Sequence, residues 1–249
     1  MLTTFKKKYF FKIAEIYFTS HYIDNIKDCD VMIYFFSSKF IKGCKTVYTL
    51  LLDLTKSEES LFSEVHKHTK RKIKKAENKD QLNFFINYAP TDEDIKLFSQ
   101  FYNTFAKSKK LKKCSMLKLK TLKESNALVI SVIKDKTDNP LCYHAYIANH
   151  ERARVLYSAS LFRLPSQREK RNFIGEANRY LHWMDIQSFR EKGFMVYDFG
   201  GLTLDKGNEA MWNIDRFKIG FGGKVVKEYI YIQAESLRGK IYKKIKDKN

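Results

Sequence analysis

Residues 195–229 read MVYDFGGLTLDKGNEAMWNIDRFKIGFGGKVVKEY, and this stretch decides the fold. Short apolar runs alternate in it with glycines, five of which stand in Gly-Gly pairs or beside an aromatic residue. Glycine at a strand end lets the backbone take positive φ or approach a ligand closely. A lysine fixed beside such a backbone, as Lys218 is after Phe217, can stabilise an oxyanion or a phosphate. The stretch therefore predicts strand ends that hold a reaction centre.

Working outward from this stretch, apolar periodicity and turn residues predict an alternation of strands and helices. Capping-box spacing marks helix starts at Thr55, Thr91 and Ser166. The predicted elements are strands at 13–18, 31–36 and 46–54, helices from 55 through the basic residues 66–79, from 91, and at 117–123, strands at 127–133, 141–148 and 154–161, a helix at 166–192, and strands at 194–199 and 224–232. The order predicts an α+β fold with a mixed, mostly antiparallel central sheet flanked by helices. A basic tail at 236–249 is expected to fray.

Composition limits the function classes. The 249 residues carry a formal charge of +19, which favours a polyanionic partner such as nucleic acid or an anionic lipid surface. Compositional drift is the competing explanation, because lysine is abundant throughout the chain. No apolar run reaches the length of a membrane span and no signal sequence is evident, so a cytoplasmic protein, with peripheral contact at the inner membrane face, is expected. The four cysteines are scattered without metal-ligand spacing, so no metal site is predicted.

Three strings resemble one family: LHWMDIQSFREKGFMVYDFGG, IDRFKIGFGGKVV and the basic TKRKIKKAENK at residues 69–79. Their order is similar to that in the FemABX-like branch of the GNAT acyltransferases, the peptidoglycan-bridge aminoacyltransferases. The resemblance implies a GNAT-like lobe at 81–235, preceded at 1–80 by an abbreviated first lobe. It also implies transfer of an acyl or aminoacyl group to an amine. Because the chain is too short for two complete lobes, the expected acceptor is an amino sugar, of surface-polysaccharide biosynthesis for example, or another cell-envelope precursor.

Two residues are predicted to be catalytic. Lys218 would stabilise the tetrahedral oxyanion of acyl transfer, and the alternative is an ordinary surface lysine. Asp198, at the end of the strand YDFGG, would orient or deprotonate the acceptor amine. The alternative for Asp198 is a turn cap that bonds backbone N–H groups. His144 and His182 are further candidate bases, for which a packed role is the alternative.

The donor is predicted from charge and from the motif. In the family, the Phe-Lys pair meets the end of the acyl donor, and the basic helix could bind the phosphates of a tRNA. A weak match to the CoA-binding loop, around Gly175 inside the predicted long helix, favours aminoacyl-tRNA over acyl-CoA as co-substrate, with no cofactor. The predicted donor-binding residues are Phe217, Gly222, Gly223, Lys70, Arg71 and Lys74, and the predicted acceptor-binding residues are Tyr143, Tyr146 and Tyr157. An acyl-CoA-dependent N-acyltransferase of a nucleotide amino sugar and a basic, non-enzymatic nucleic-acid-binding module are the alternatives.

Overall fold

The computed structural model describes residues 1–23, 26–79, 81–161 and 167–247. Its strands are β1 (Leu2–Lys8), β2 (Phe11–Tyr17), β3 (Val31–Ser37), β4 (Lys45–Asp53), β5 (Asn83–Asn87), β6 (Leu128–Lys134), β7 (Pro140–Ala148), β8 (Arg152–Ser160), β9 (Val196–Leu202) and β10 (Lys224–Ala234). Its helices are α1 (Glu58–Glu64), α2 (Lys67–Lys79), α3 (Asp92–Ser108), α4 (Met116–Glu124), α5 (Arg168–Glu191), α6 (Glu209–Ile219) and α7 (Leu237–Asp247). The predicted α+β class is confirmed.

The chain divides into two compact units. The first comprises Met1–Thr49 and Val225–Asn249, with the strand order β1-β2-β3-β10-β4. Strands β2 and β3 are parallel, and the pairs β1–β2 and β3–β10 are antiparallel. Side chains alternate between the two faces of a strand, and one face of this sheet packs against α7, where Tyr242 is buried. The tail predicted to fray is therefore a helix, because its apolar side has a sheet to cover.

The second unit, Leu50–Lys224, contains all the predicted site residues. Its strand order is β4-β9-β8-β7-β6-β5. The three strands predicted at 127–133, 141–148 and 154–161 are β6, β7 and β8, which form an antiparallel meander that β5 extends. Helix α5 connects β8 to β9, which run parallel. Helices α3 and α5 cover opposite faces of the sheet, since Tyr143 of β7 contacts Phe98 of α3 while the next residue, His144, contacts Asp185 of α5.

These units are bounded at other residues than the predicted segments. The predicted boundary at residue 80 falls inside the second unit, and the one at 235 falls inside the first. The difference arises because β10, which comes late in the sequence, pairs with the early strand β3 and so belongs to the first unit. That residues 1–80 act as an abbreviated lobe stays a prediction.

Several local predictions can be compared with the structure. The capping box of Thr91 and Asp94 is present at the start of α3. The prediction of a single helix from Thr55 is wrong. Helix α1 begins after Ser57, and the helical conformation is interrupted between α1 and α2, where the His66 N–H donates to the Gly220 carbonyl at 2.9 Å. The predicted cap at Ser166 lies outside the described residues. None of the described helices has both the length and the apolar character needed to cross a bilayer.

Candidate active site

Lys218 lies in the last turn of α6, half-buried beside the end of β9. Its ammonium group donates a hydrogen bond to the Gly201 carbonyl at 2.6 Å. Burial, together with the positive charge of Arg154, lowers the pKa of Lys218 from its usual 10.5 to about 8, against the opposing effect of Asp215 and Asp198. The group is therefore a cation at neutral pH, with two N–H bonds beyond the one given to Gly201.

The neighbouring residue Phe217 links this lysine to the interior. Its ring centroid lies 5.5 Å from that of His182 and 5.7 Å from that of Phe221. The guanidinium carbon of Arg179 lies 4.6 Å from the centroid of the Phe217 ring, within the range of a cation–π contact. Phe217 thus joins one polar group in the core, His182, to a basic side chain on α5.

Behind Phe217 lies a buried chain of polar side chains from β7, α5 and β9. His182 Nδ1 is 2.7 Å from the Tyr197 hydroxyl, which is 2.9 Å from the Tyr146 hydroxyl. Tyr146 donates to Asp185 Oδ2 at 2.5 Å, and His144 Nδ1 lies 2.7 Å from the same oxygen. All five side chains are buried, and the chain ends at a carboxylate.

The same residues are the ones to consider for a metal ion. Among the described residues, the ligand atoms of His144, His182 and Asp185 lie within 4.8 Å of one another. In this geometry, however, the Nδ1 atoms of both histidines and Asp185 Oδ2 are engaged in the hydrogen bonds just described. The arrangement favours a hydrogen-bonded chain over a set of open ligand atoms.

Asp198 points away from this chain, because neighbouring residues on a strand face opposite sides of the sheet. It is fully buried and accepts hydrogen bonds from Arg152 and, at 2.6 Å, from Arg154. Its other oxygen accepts from the Gly200 N–H at 2.8 Å, which is the turn-capping role considered as an alternative. Because the carboxylate is already paired with two guanidinium groups and shielded from solvent, its geometry favours a structural role over that of a base.

Gly222 and Gly223, predicted to contact the donor, are packed against backbone. Both have positive φ, of 83° and 85°. A Cβ at Gly222 would come 2.9 Å from the Glu64 carbonyl oxygen, and one at Gly223 would come 2.5 Å from that of Leu51. These glycines are needed for the close approach of α1 and β4, and a role in donor binding stays a prediction.

The Gly223→Ala substitution is expected to lower the free energy of unfolding by roughly 2–4 kcal/mol, since it combines backbone strain with a steric clash. Urea denaturation followed by circular dichroism gives the change. Gly201→Ala is the matched control, because a Cβ there meets no atom within 4 Å and its φ is not in the left-handed region. Equal stability of the two variants would contradict the packing role assigned to Gly223.

The three predicted acceptor tyrosines are not brought together. Tyr146 belongs to the buried chain, whereas Tyr143 and Tyr157 lie on the α3 side of the sheet. The Tyr143 ring packs against Phe101 at 5.0 Å, and the Tyr157 hydroxyl accepts from the Ser115 N–H at 3.1 Å. Tyr143 also lines a cavity on that side, together with polar residues of β5, α3 and β6. A shared acceptor pocket of all three is therefore not formed by this arrangement.

The predicted basic helix is α2. Arg71 and Lys74 are exposed on it, while Ile73 and Ala76 are buried against the core. Lys70 donates to the Ser63 carbonyl at 2.9 Å, and the ammonium groups of Lys70 and Lys74 lie over the Phe62 ring at 5.5 and 5.7 Å. The three predicted donor-binding cations thus lie on one surface.

Positive charge continues from α2 to α5. Glu176 is paired with Lys75 at 2.6 Å and with Lys72 at 4.0 Å. The pKa of Lys72 is lowered by burial first and then by the charge of Arg179. The pKa of His68 is also lowered, by burial first and then by the charges of Lys72 and Arg179. Cations that lower the pKa values of their neighbours mark an excess of positive potential, which a bound anion would relieve.

The structure resembles several solved structures although the sequences are remote. A crystal structure of FemX matches with a TM-score of 0.66 at 13% identity, covering 98% of this chain and 86% of that one. The C-terminal domain of a putative lysylphosphatidylglycerol synthetase from Agrobacterium fabrum matches with a TM-score of 0.54 at 12% identity, over 85% of this chain and 70% of that one. L-PGS from Bacillus licheniformis gives 0.52 at 12% identity, over 85% and 71%. Comparison of the sequence with family models and with curated proteins gives no match. At these identities the likeness concerns the fold, and it confirms the fold expected from the FemABX-like strings.

Proposed function

We propose that this protein is an acyltransferase that moves an aminoacyl group from aminoacyl-tRNA to an amine of a cell-envelope precursor or amino sugar. The observation that carries the proposal is Lys218, a half-buried cation with a lowered pKa, fixed at a strand end by the Gly201 carbonyl. A cation kept in a place that disfavours its charge indicates function, because a neutral side chain would be more stable there. The fold shared with FemX supports the choice of reaction.

The chemistry asked of Lys218 is electrostatic. Attack of an amine on the carbonyl of an ester places negative charge on the carbonyl oxygen in the transition state. The two remaining N–H bonds of Lys218 are available to that oxygen, and a group already fixed by Gly201 does not need to reorganise during the reaction. In this account Phe217 lies beside the end of the donor. The protein itself needs no cofactor, since the activated ester supplies the driving force.

The donor is proposed from the basic surface formed by α2 and Arg179. Lys70, Arg71 and Lys74 would bind backbone phosphates of the tRNA acceptor end, and Arg179, stacked on Phe217, would meet the phosphate nearest the ester. Nucleic-acid phosphates are bound mainly by such cations, and single-stranded ends are held by charge together with stacking. The net charge of +19 also supports peripheral contact with an anionic membrane, where lipid-linked acceptors would be met.

Two other functions would use the same basic surface. An acyl-CoA donor would use the same cations for its phosphates, and a nucleotide amino sugar would then be the acceptor. A binding module without chemistry would use the cations alone. These options are separated by incubating the protein with isotope-labelled aminoacyl-tRNA or acyl-CoA, and with amino-sugar or lipid-linked amine acceptors, and by detecting the amide product by mass spectrometry. Amide from the tRNA donor supports the proposal. Amide only from acyl-CoA supports the first alternative, and tight RNA binding with no amide from any donor supports the second.

The double substitution Arg71→Glu and Lys74→Glu is expected to weaken tRNA binding at least about tenfold and to reduce the slope of log K against log salt by roughly two. Fluorescence anisotropy of labelled tRNA at several KCl concentrations measures both. Lys107→Glu with Lys110→Glu makes the same charge change on exposed residues at the end of α3 and serves as control. If the two double variants lose affinity equally, binding depends on net charge and not on the α2 surface.

A further inference from the structure

The buried chain from His182 to Asp185 has a definite direction. Burial and the Asp185 carboxylate raise the pKa of Tyr146 and that of Tyr197 well above the usual value, so both hydroxyls keep their protons. The Tyr146 hydroxyl donates its hydrogen bond to Asp185 Oδ2. The Tyr146 oxygen can then only accept from Tyr197, and the Tyr197 oxygen can only accept from His182 Nδ1. The chain therefore runs His182 Nδ1–H to Tyr197 to Tyr146 to Asp185.

This direction fixes the tautomer of His182. With its proton on Nδ1, the neutral imidazole carries a lone pair on Nε2. Nε2 has no hydrogen-bond partner among the residues that the structure describes. Around the ring lie Phe199, Phe217 and Phe221, with His144 from β7 at 4.0 Å between centroids. The nitrogen able to accept a proton thus belongs to the ring that packs against Phe217, next to Lys218.

Burial, and after it the groups around the ring, keep His182 neutral. Its pKa lies well below the usual value because of burial first, and then because of His144 from β7, Lys218 from α6 and Arg179 from α5. At the other end of the chain, Asp185 is fully buried and its Oδ1 has no partner among the described residues. An incompletely satisfied carboxylate is costly in a core, and it offers a compensating negative charge when His182 takes up a proton.

We propose that His182 is the general base of the transfer reaction, and that Tyr197, Tyr146 and Asp185 are positioning residues that hold its tautomer and stabilise its protonated form. The inference rests on the proposed function. The acceptor amine attacks the carbonyl carbon of the donor ester, so that the C–N bond forms and the electron pair of the C=O π bond moves to the oxygen near Lys218. The ammonium proton passes to Nε2 of His182. As the oxyanion collapses and the ester C–O bond breaks, that proton passes to the leaving hydroxyl oxygen.

The first test does not require activity. Long-range proton–nitrogen NMR spectra of the protein labelled with ¹⁵N-histidine report which ring nitrogen carries the proton, and the His182→Asn variant assigns the signals. We expect His182 to be neutral at pH 7 with its proton on Nδ1. A proton on Nε2, or a doubly protonated ring, would overturn the inference, and so would one equivalent of a transition metal in the purified protein.

The second test uses the transfer reaction. His182→Asn places an amide N–H near the position of Nδ1 but offers no base, and it is expected to lower kcat about 100-fold or more with the KM for donor unchanged. Tyr197→Phe interrupts the chain and is expected to lower kcat about tenfold. Phe221→Leu, which disturbs the packing of the same ring without touching the chain, is the control and should stay within threefold.

The pH profile separates a base from a packing residue. In the wild type, kcat should fall on the acid side as His182 becomes protonated, and this acid limb should be lost in His182→Asn. If the wild type transfers the aminoacyl group and the rate of His182→Asn lies within threefold of the wild-type rate, this inference alone is overturned. Absence of transfer by the wild type from every donor would overturn the proposed function itself, while the tautomer measurement still decides the geometry of the chain.

Discussion

Lys218→Met is expected to lower the rate of amide formation about 10²–10³-fold and, at the same time, to raise the stability of the protein. The loss of rate is the size found when one oxyanion donor is removed. The gain in stability follows from the pKa of Lys218: it is lowered from 10.5 to about 8, so the folded state opposes a charge that the unfolded state accepts. At pH 7 the substitution should therefore raise the free energy of unfolding by about 1–3 kcal/mol. This range already allows for the loss of the hydrogen bond to the Gly201 carbonyl.

The sign of the pH dependence gives an independent check on Lys218. An oxyanion donor must be protonated, so the Lys218-dependent rate should fall as the pH rises through about 8. The stability should change in the opposite sense, because the unfolded chain binds one more proton than the folded chain between about 8 and 10.5. Lys218→Arg, which stays charged, is the control and should lose the alkaline fall in rate. A rate that rises through pH 8 in the wild type but not in Lys218→Arg would indicate a neutral, basic Lys218 and contradict the oxyanion role.

Asp198→Ala is expected to lower the free energy of unfolding by about 3–5 kcal/mol, enough to unfold much of the protein at 37 °C. The reason is that Arg154 is 5% exposed and would be left charged beside Arg152 without the carboxylate that both contact. The Gly200 N–H would lose its acceptor as well. Thermal and urea denaturation measure the change.

A matched surface substitution calibrates the effect of Asp198. Asp138 pairs with Lys134 at 2.9 Å, but its side chain is 69% exposed, so Asp138→Ala should change stability by less than about 1 kcal/mol. If Asp198→Ala proved as stable as Asp138→Ala and yet lost transfer activity with donor binding intact, the structural assignment would be wrong. The role of base predicted from the strand-end position would then be restored.

The sequence was sufficient for the elements with strong local signals. The capping box of Thr91 and Asp94 is confirmed at the start of α3, and the strands predicted at 127–133, 141–148 and 154–161 and the helix predicted at 166–192 correspond to β6, β7, β8 and α5. The strands missed by the prediction, β1 and β5, lie at the ends of the strand order. Their sequences give weak strand signals, because LTTFKKK contains only two apolar residues and NFFIN has an apolar run of only three.

The candidate site was predictable only in part. Lys218 and Phe217 stand in a contiguous motif and could be found without a structure. The hydrogen-bonded chain behind them joins side chains that are 15, 51 and 39 positions apart and belong to three different elements. No local sequence pattern predicts such contacts. The one signal was the alternation of His144 and Tyr146 on a strand, with His182 and Asp185 one helical turn apart. For Asp198 the strand-end position was visible, but the two arginines that bury and pair it were not.

The most direct measurement is amide formation from labelled aminoacyl-tRNA by wild type and Lys218→Met at pH 7, with the affinity of each protein for the same tRNA measured in parallel. We expect product from the wild type, a rate at least about 100-fold lower for Lys218→Met, and equal tRNA affinity for the two proteins. Equal rates for the two proteins, or no amide from the wild type with any amine acceptor, would show that Lys218 does not have the proposed role.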